Sequence, residues 1–243
     1  MFCGQAIDVS SAAPRVSKKR KENGSDASRF RSHRPAEVKI RTPTANMADS
    51  LYFSLWFSDF SAEEMLVRAL SVMRQFPFSQ GLPGITYFAL YPVSWNEPTI
   101  FEQRFRPGVS PEEAILIASD LLHDDYAYLF EANWDLWTPQ GPEEKWTLLP
   151  SPVSIIVRGE EFEEGESKTH GEVQLDFGLD TPFLHEELQL TGEVESRVRA
   201  NVQMLVDFIN RVEKSGMAST RLLWSESGEN LAQKLVGRLQ RVQ

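Results

Sequence analysis

One stretch sets the fold class: LYFSLWFS at residues 51–58. Apolar residues occupy every second position of it: Leu51, Phe53, Leu55 and Phe57. Because side chains of a strand point alternately to the two faces of a sheet, a period of two predicts a strand with one buried face. A helix is predicted next, since Ser61 and Glu64 match a capping box and apolar residues follow at helical spacing.

Four further elements are predicted between this helix and residue 134. Strands are expected near residues 85–91 and 99–105, and a helix begins at Ser110, where Pro111 and Glu113 complete a capping pattern. Alternation at residues 126–134 predicts the next strand. The resulting order, βαββαβ, is that of a ferredoxin-like domain, and we therefore expect an α+β fold with an antiparallel sheet and helices on one face.

The second half of the chain predicts a different order of elements. Residues 135–150, rich in proline and tryptophan, are expected to form a connector. Strands are predicted at 153–157, 173–177 and 222–224, with a long helix at about 193–214 and a last helix near 228–242. Gly216 suits the residue after the long helix. This ββαβα half is expected to pack beside the first, either in one sheet or as a second lobe.

Residues 1–46 differ in composition from everything that follows. They are rich in Ser, Ala, Lys and Arg and have no periodic apolar face, which predicts a disordered basic leader. The basic run at residues 18–21 also fits a nuclear or nucleic-acid address. Because the pattern changes at Met47, that residue is a candidate for the true start. We therefore divide the chain into 1–46, 47–137 and 138–243.

Composition excludes several classes of site. Cys3 is the single cysteine, so the chain holds no internal disulfide and no site built from several thiolates. No run of about 18 apolar residues is present to span a membrane, and the N-terminus lacks the apolar core of a signal peptide. We therefore expect a cytoplasmic protein.

Charge is divided unequally along the chain. Residues 1–46 hold ten basic and four acidic residues, whereas the remaining 197 residues hold 15 basic and 31 acidic residues, a net charge of −16. A negative charge of this size repels nucleic acid and anionic membranes. The expected partner of residues 47–243 is therefore a basic protein.

Motifs for enzyme chemistry are absent from the sequence. It contains no Gly-x-Ser-x-Gly elbow, no phosphate-binding loop and no dinucleotide-binding glycine pattern. Three clusters combine histidine with acids, at residues 123–125, 170–172 and 185–187, but none has the spacing that places two imidazoles on one helix face. The acidic run at 160–166 lacks the alternating ligands of a calcium loop. We expect neither a metal nor a cofactor.

Tryptophan and glutamate supply the candidate binding surface. The tryptophans either seal the junction between the halves or form a partly exposed patch that anchors a partner, and a small-molecule cleft is a further alternative. The acids form the tip of the hairpin that follows the first strand of the second half. The candidate residues are Trp56, Trp95, Trp134, Trp137, Trp146, Glu160, Glu161, Glu163 and Glu164.

These observations favour a non-enzymatic, acidic protein-binding module, comparable in surface chemistry to inhibitors and immunity proteins. One alternative is a metal-assisted hydrolase that uses His123, His170 or His185 with nearby carboxylates. A second alternative is a small-molecule sensor with a cleft between the two halves. Neither the partner nor the oligomeric state follows from the sequence.

Overall fold

A computed structural model describes residues 48–141, 145–184, 192–216 and 218–226. Seven strands and five helices are present in these residues. In chain order they are β1 Ser50–Trp56, α1 Ala62–Met73, β2 Ile85–Pro92, β3 Phe101–Val109, α2 Pro111–Ser119, β4 Tyr126–Gln140, β5 Lys145–Arg158, α3 Glu166–His170, β6 Val173–Leu179, α4 Thr181–Leu184, α5 Gly192–Lys214 and β7 Thr220–Ser225.

All seven strands belong to one antiparallel sheet, which confirms the expected α+β class. Their order across the sheet is β3-β2-β4-β5-β6-β1-β7. Strands from both predicted halves therefore share a single sheet. The division at residues 137 and 138 falls within β4, which runs to Gln140.

The strand pairing does not show the expected ferredoxin-like arrangement. The element order βαββαβ is present up to β4, but β1 pairs with β6 and β7 instead of with strands of the first half. The physical reason is the long β4–β5 hairpin, which places β5 and β6 between β4 and β1. Element order along the chain leaves such neighbours undetermined.

The prediction of a connector at 135–150 is wrong, because the described residues of this stretch form the far end of the β4–β5 hairpin. Asp135 pairs with Pro150, and Gln140 pairs with Lys145. The pairing of β2 with β4 reaches only Ala132, and the pairing of β6 with β5 begins only at Ser154. Because no strand of the described residues pairs with the outer edges of this ribbon, prolines can occupy it without losing ladder hydrogen bonds.

Four of the helices, α1, α2, α4 and α5, cover one face of the sheet. Buried residues of α1, α2, α4 and α5 form a single cluster with the inward side chains of the strands, including Phe53, Phe130 and Ile155. The capping box at Ser110 and Glu113 is formed as predicted. At α1 it is not, because the Ser61 hydroxyl donates to Glu63 instead of serving the helix backbone.

The long helix α5 is the main packing element of the second half. Leu205 and Phe208 are fully buried, Ile209 is partly buried, and Gly216 after the helix has a φ of 67°. Asn201 is also fully buried and bonds both the N–H and the carbonyl of Trp137 and the carbonyl of Pro182. These bonds fix α5 to β4 and α4.

Two short helices, α3 and α4, were not expected. The predicted leader and last helix lie outside the described residues. Within the described part of the chain, no helix combines the length and apolar character that a membrane crossing requires.

Candidate functional site

The face of the sheet opposite the core, which we call the outer face, carries residues that the register brings into line across all seven strands. Each residue of the line is the pairing partner of the next, and paired residues share one face. We call this line the cross-strand row. Its members, from β3 to β7, are Arg104, Tyr87, Glu131, Ser154, Asp176, Tyr52 and Trp224.

A second line beside the cross-strand row is mostly apolar in the middle of the sheet. It contains Leu129 on β4, Ile156 on β5 and Gln174 on β6, which are pairing partners in turn. In a strand, residues two apart lie on the same face. Leu129 is therefore the neighbour of Glu131, and Gln174 is the neighbour of Asp176.

The segment between β5 and β6 folds over one end of the outer face and forms a wall. The Ser54 hydroxyl donates to the carbonyl of His170 at 2.6 Å, and the Trp56 indole donates to the carbonyl of Ser167 at 3.0 Å. Gly171 ends α3 with a φ of 100°, and a Cβ there would lie 3.0 Å from the Leu55 nitrogen. Glycine is required for this close approach.

Arg158 connects the wall to strand β6 of the sheet. Only 4% of its side chain is exposed, and Nε lies 3.2 Å from the Glu166 carboxylate. Its terminal nitrogens donate to Gln174 at 2.7 Å and to the Gly171 carbonyl at 3.2 Å. Burial lowers the pKa of Arg158 to about 10 against the opposing effect of Glu166. Its two terminal nitrogens bond to groups of the chain itself, so we assign it a structural role.

A cleft of about 580 Å³ lies between the wall and the end of the cross-strand row. Leu129, Ile156 and Gln174 form its floor. Its remaining lining residues are Tyr52, Trp95, Arg158, Glu166, His170, Asp176, Trp224 and Glu226.

Aromatic rings and carboxylates meet at one end of this cleft. The rings of Tyr52 and Trp224 stack with centroids 4.6 Å apart. The Tyr52 hydroxyl donates to Glu226 at 3.2 Å, and the Trp224 indole donates to Ser54 at 3.0 Å. Asp176 is the pairing partner of Tyr52. Both carboxylates therefore lie beside the aromatic stack.

Within the part of the chain that the structure describes, neither of the two acids at this end, Asp176 and Glu226, forms an ion pair. Burial, with a smaller effect of Glu226, raises the pKa of Asp176 above its usual value. Burial and the same two acids raise the pKa of Tyr52. Both shifts follow chiefly from burial, with a smaller contribution from the neighbouring negative charges.

The predicted tryptophans separate into three groups. Trp95 lines the cleft, where its ring contacts Phe162 and lies over the Arg158 guanidinium. Trp56 anchors the wall. Trp134 is fully buried in the core and Trp146 is 6% exposed, while the Trp137 ring is covered by Arg197.

The predicted glutamates are likewise not one surface. The carboxylate of Glu163 accepts a hydrogen bond from the backbone N–H of Trp95 and so links two loops. Glu160, Glu161 and Glu164 are exposed. None of the four lines the cleft.

Sequence reasoning missed the acidic end of the cleft. Asp176 was hidden within a predicted strand, although its alternation with Leu175 and Phe177 already places it on the outer face. Nothing in the sequence indicates that Trp224 and Glu226 lie beside this cleft, because β7 reaches β1 only through tertiary pairing.

The histidine clusters bring few ligands together. His123 lies 3.2 Å from Asp124 and 2.5 Å from Asp125, so three ligand atoms lie within 4.8 Å. All three residues are partly or fully exposed, and their proximity follows from their consecutive positions in the chain. His170 lies 3.7 Å from Glu166, whereas Glu172 instead accepts a hydrogen bond from Phe57. His185 lies outside the described residues.

A second cavity of about 420 Å³ lies beside the far end of the hairpin. Leu136, Pro152, Phe177 and Pro182 are among its lining residues, and no charged side chain is among the lining residues described. This cavity offers shape and apolar contact but few groups that would orient a ligand.

Comparison with protein-family models, curated proteins and solved structures gives no match.

Proposed function

We propose that this protein is a binding module that receives a cationic side chain of a protein partner in the cleft on the outer face. The observation that carries the proposal is the placement of Asp176 and Glu226, without an ion-pair partner in the described residues, beside the stacked rings of Tyr52 and Trp224. Aromatic faces and carboxylates together recognise Lys or Arg side chains through cation–π attraction and charge-assisted hydrogen bonds.

The charge of residues 47–243 supports the same partner class. Residues 47–243 carry a net charge of −16. Such a surface speeds the approach of a basic partner and repels an acidic one. The cleft then supplies the specific contact.

A nuclear magnetic resonance titration tests the proposal. The probes are Nα-acetyl-lysine-N-methylamide and its neutral glutamine counterpart, added to ¹⁵N-labelled protein at low ionic strength. The lysine probe should shift the indole N–H resonance of Trp224 and the amide resonance of Asp176, and leave the core indole of Trp134 unchanged. Equal shifts with both probes, or no shift at these positions, would contradict the proposal.

A charge-matched pair of variants locates the effect. Asp176→Asn should weaken binding of the lysine probe by at least about threefold, because it removes the half-buried acid. Glu164→Gln removes the same charge from an exposed position outside the cleft and should leave binding unchanged. Equal weakening in both variants would indicate general charge attraction only.

Binding of a small amine is the second candidate. The cleft volume of about 580 Å³ favours it, since small-molecule sites commonly measure about 300–1,000 Å³. A free diamine that binds more tightly than any lysine peptide in the same titration would favour this candidate over a protein partner.

A further inference from the structure

We propose that the partner segment crosses the strands in extended form and presents two cationic side chains, one to Asp176 and the other to Glu131. This inference rests on the proposed function and adds the geometry of the partner. Glu131 and Asp176 belong to the same cross-strand row, with Ser154 between them as the pairing partner of both. Glu131, like Asp176, forms no ion pair in the described residues.

The distance between these two acids selects the conformation of the partner. Neighbouring strands lie about 4.8 Å apart, so the backbone positions of Glu131 on β4 and Asp176 on β6 lie about 9.5 Å apart. In a polyproline II segment, residues three apart lie on the same side and about 9.3 Å apart. A β-strand instead repeats one side about every 6.8 Å. A polyproline II segment with cations three residues apart therefore matches the row.

The surface between and beside the acids fits such a segment. Ser154 is small and leaves room above the row, while the neighbouring Leu129 and Ile156 offer an apolar floor. Proline rings and the methylene stems of lysine can pack on this floor.

The row also disfavours a further cation beyond Glu131. Beyond Glu131 the next member is Tyr87, and the guanidinium of Arg104 already lies 4.8 Å from the centre of its ring. This internal cation occupies the aromatic face and repels a third basic side chain. The recognised segment therefore ends at Glu131.

Two peptides of identical composition test the spacing. Both carry an N-terminal fluorescent label, one with the sequence KPPKPP and the other with KPKPPP. Lysine before proline favours the extended conformation in both, but only KPPKPP places both lysines on one side. Fluorescence anisotropy at low ionic strength should give about two- to fivefold tighter binding of KPPKPP, the contribution of one added surface ion pair.

The variant Glu131→Gln provides the internal control. It should reduce the affinity for KPPKPP to that for KPKPPP and leave KPKPPP itself unchanged, while Glu164→Gln changes neither. Unaltered thermal unfolding of each variant excludes a folding defect.

The outcomes separate the two proposals. Equal affinities for the two peptides, no effect of Glu131→Gln and a loss with Asp176→Asn would overturn the two-cation geometry and retain the cationic site. Binding of neither peptide, or binding insensitive to Asp176→Asn, would overturn the proposed function and this inference together.

Discussion

The two faces of the sheet are built from the same strands but differ in chemistry. On the core face, Phe53, Leu175 and Ile155 follow one another across β1, β6 and β5 and are at most 1% exposed. On the outer face, at the adjacent position of each strand, Ser54, Gln174 and Ile156 follow one another in the same way. Alternation thus encodes a packed core on one side and a partly polar floor on the other.

This comparison shows that the residues that stabilise the fold and those of the proposed binding site lie on opposite faces of one sheet. Residues of the core face pack against one another through apolar contacts. On the outer face, Asp176 and Glu131 have no ion-pair partner within the described residues, so their charges contribute little to holding the fold. The predictions below test this division, from the largest expected effect to the smallest.

The largest effect is expected from α5 on the core face. Leu205 is fully buried, so Leu205→Ala should lower the free energy of unfolding by about 2–5 kcal/mol. Leu222 on the outer face is 50% exposed, and Leu222→Ala should cost less than about 0.5 kcal/mol. Urea denaturation measures both. Similar midpoints for the two variants would remove the distinction between the faces.

Loss of a polar contact within the core should lower the free energy of unfolding by somewhat less. Asn201→Ala leaves the N–H and carbonyl of Trp137 and the carbonyl of Pro182 without this partner. A buried group that loses its hydrogen bond costs about 1–3 kcal/mol, and we expect a loss in this range. Hydrogen exchange of the Trp137 amide should become faster. Unchanged exchange would show that water replaces Asn201 without cost.

The wall of the outer face offers a comparison of two glycines. Gly171→Ala introduces a Cβ 3.0 Å from the Leu55 nitrogen, at a φ of 100°. Gly165 has a φ of 85° with open space around its Cβ position. Gly165→Ala should cost about 1 kcal/mol from backbone strain alone, and Gly171→Ala more. Thermal unfolding should order the variants in this way, and the reverse order would contradict the close contact between Gly171 and β1.

The smallest change in the free energy of unfolding should be an increase. Burial raises the pKa of Asp176 in the folded protein, so its ionisation is less favourable there than in the unfolded chain. Its contribution to stability is therefore present below the unfolded pKa of about 3.9 and is lost as the pH rises through the folded pKa. Asp176→Asn should stabilise the protein by less than about 1 kcal/mol at neutral pH, because water screens a partly exposed group.

Asparagine keeps an acceptor for the Gly178 N–H, so the substitution isolates the charge. Denaturation should be measured near pH 7 and again near pH 3. The stabilisation should shrink at the lower pH, where the wild-type carboxyl is protonated in both states. A variant less stable than wild type at neutral pH would show that Asp176 contributes to folding.

Local patterns in the sequence predicted the elements well and the neighbours poorly. Alternation identified β1, and the spacing of Val198, Val202 and Leu205 identified α5, because these signals depend only on which face a residue presents. The prolines at 139 and 150 concealed the extension of the β4–β5 hairpin. The ribbon there tolerates proline because, among the strands that the structure describes, none pairs with its outer edges.

The candidate site was recovered only in part for a related reason. Of the candidate tryptophans, Trp95 lines the cleft. Trp134 is instead completely buried, because alternation along a strand does not show whether a large aromatic residue faces the core or the solvent. Asp176, Tyr52 and Trp224 are more than 40 residues apart in sequence, and only strand pairing makes them neighbours.

The sequence by itself determined that this chain builds an antiparallel α+β fold and that residues 47–243 are strongly acidic, because periodicity and charge are summed from residues one at a time. The tertiary structure alone decided the strand order and the register. Register is a relation between distant segments, and it is what aligns Glu131, Ser154 and Asp176 in one row and sets the acids beside the Tyr52–Trp224 stack.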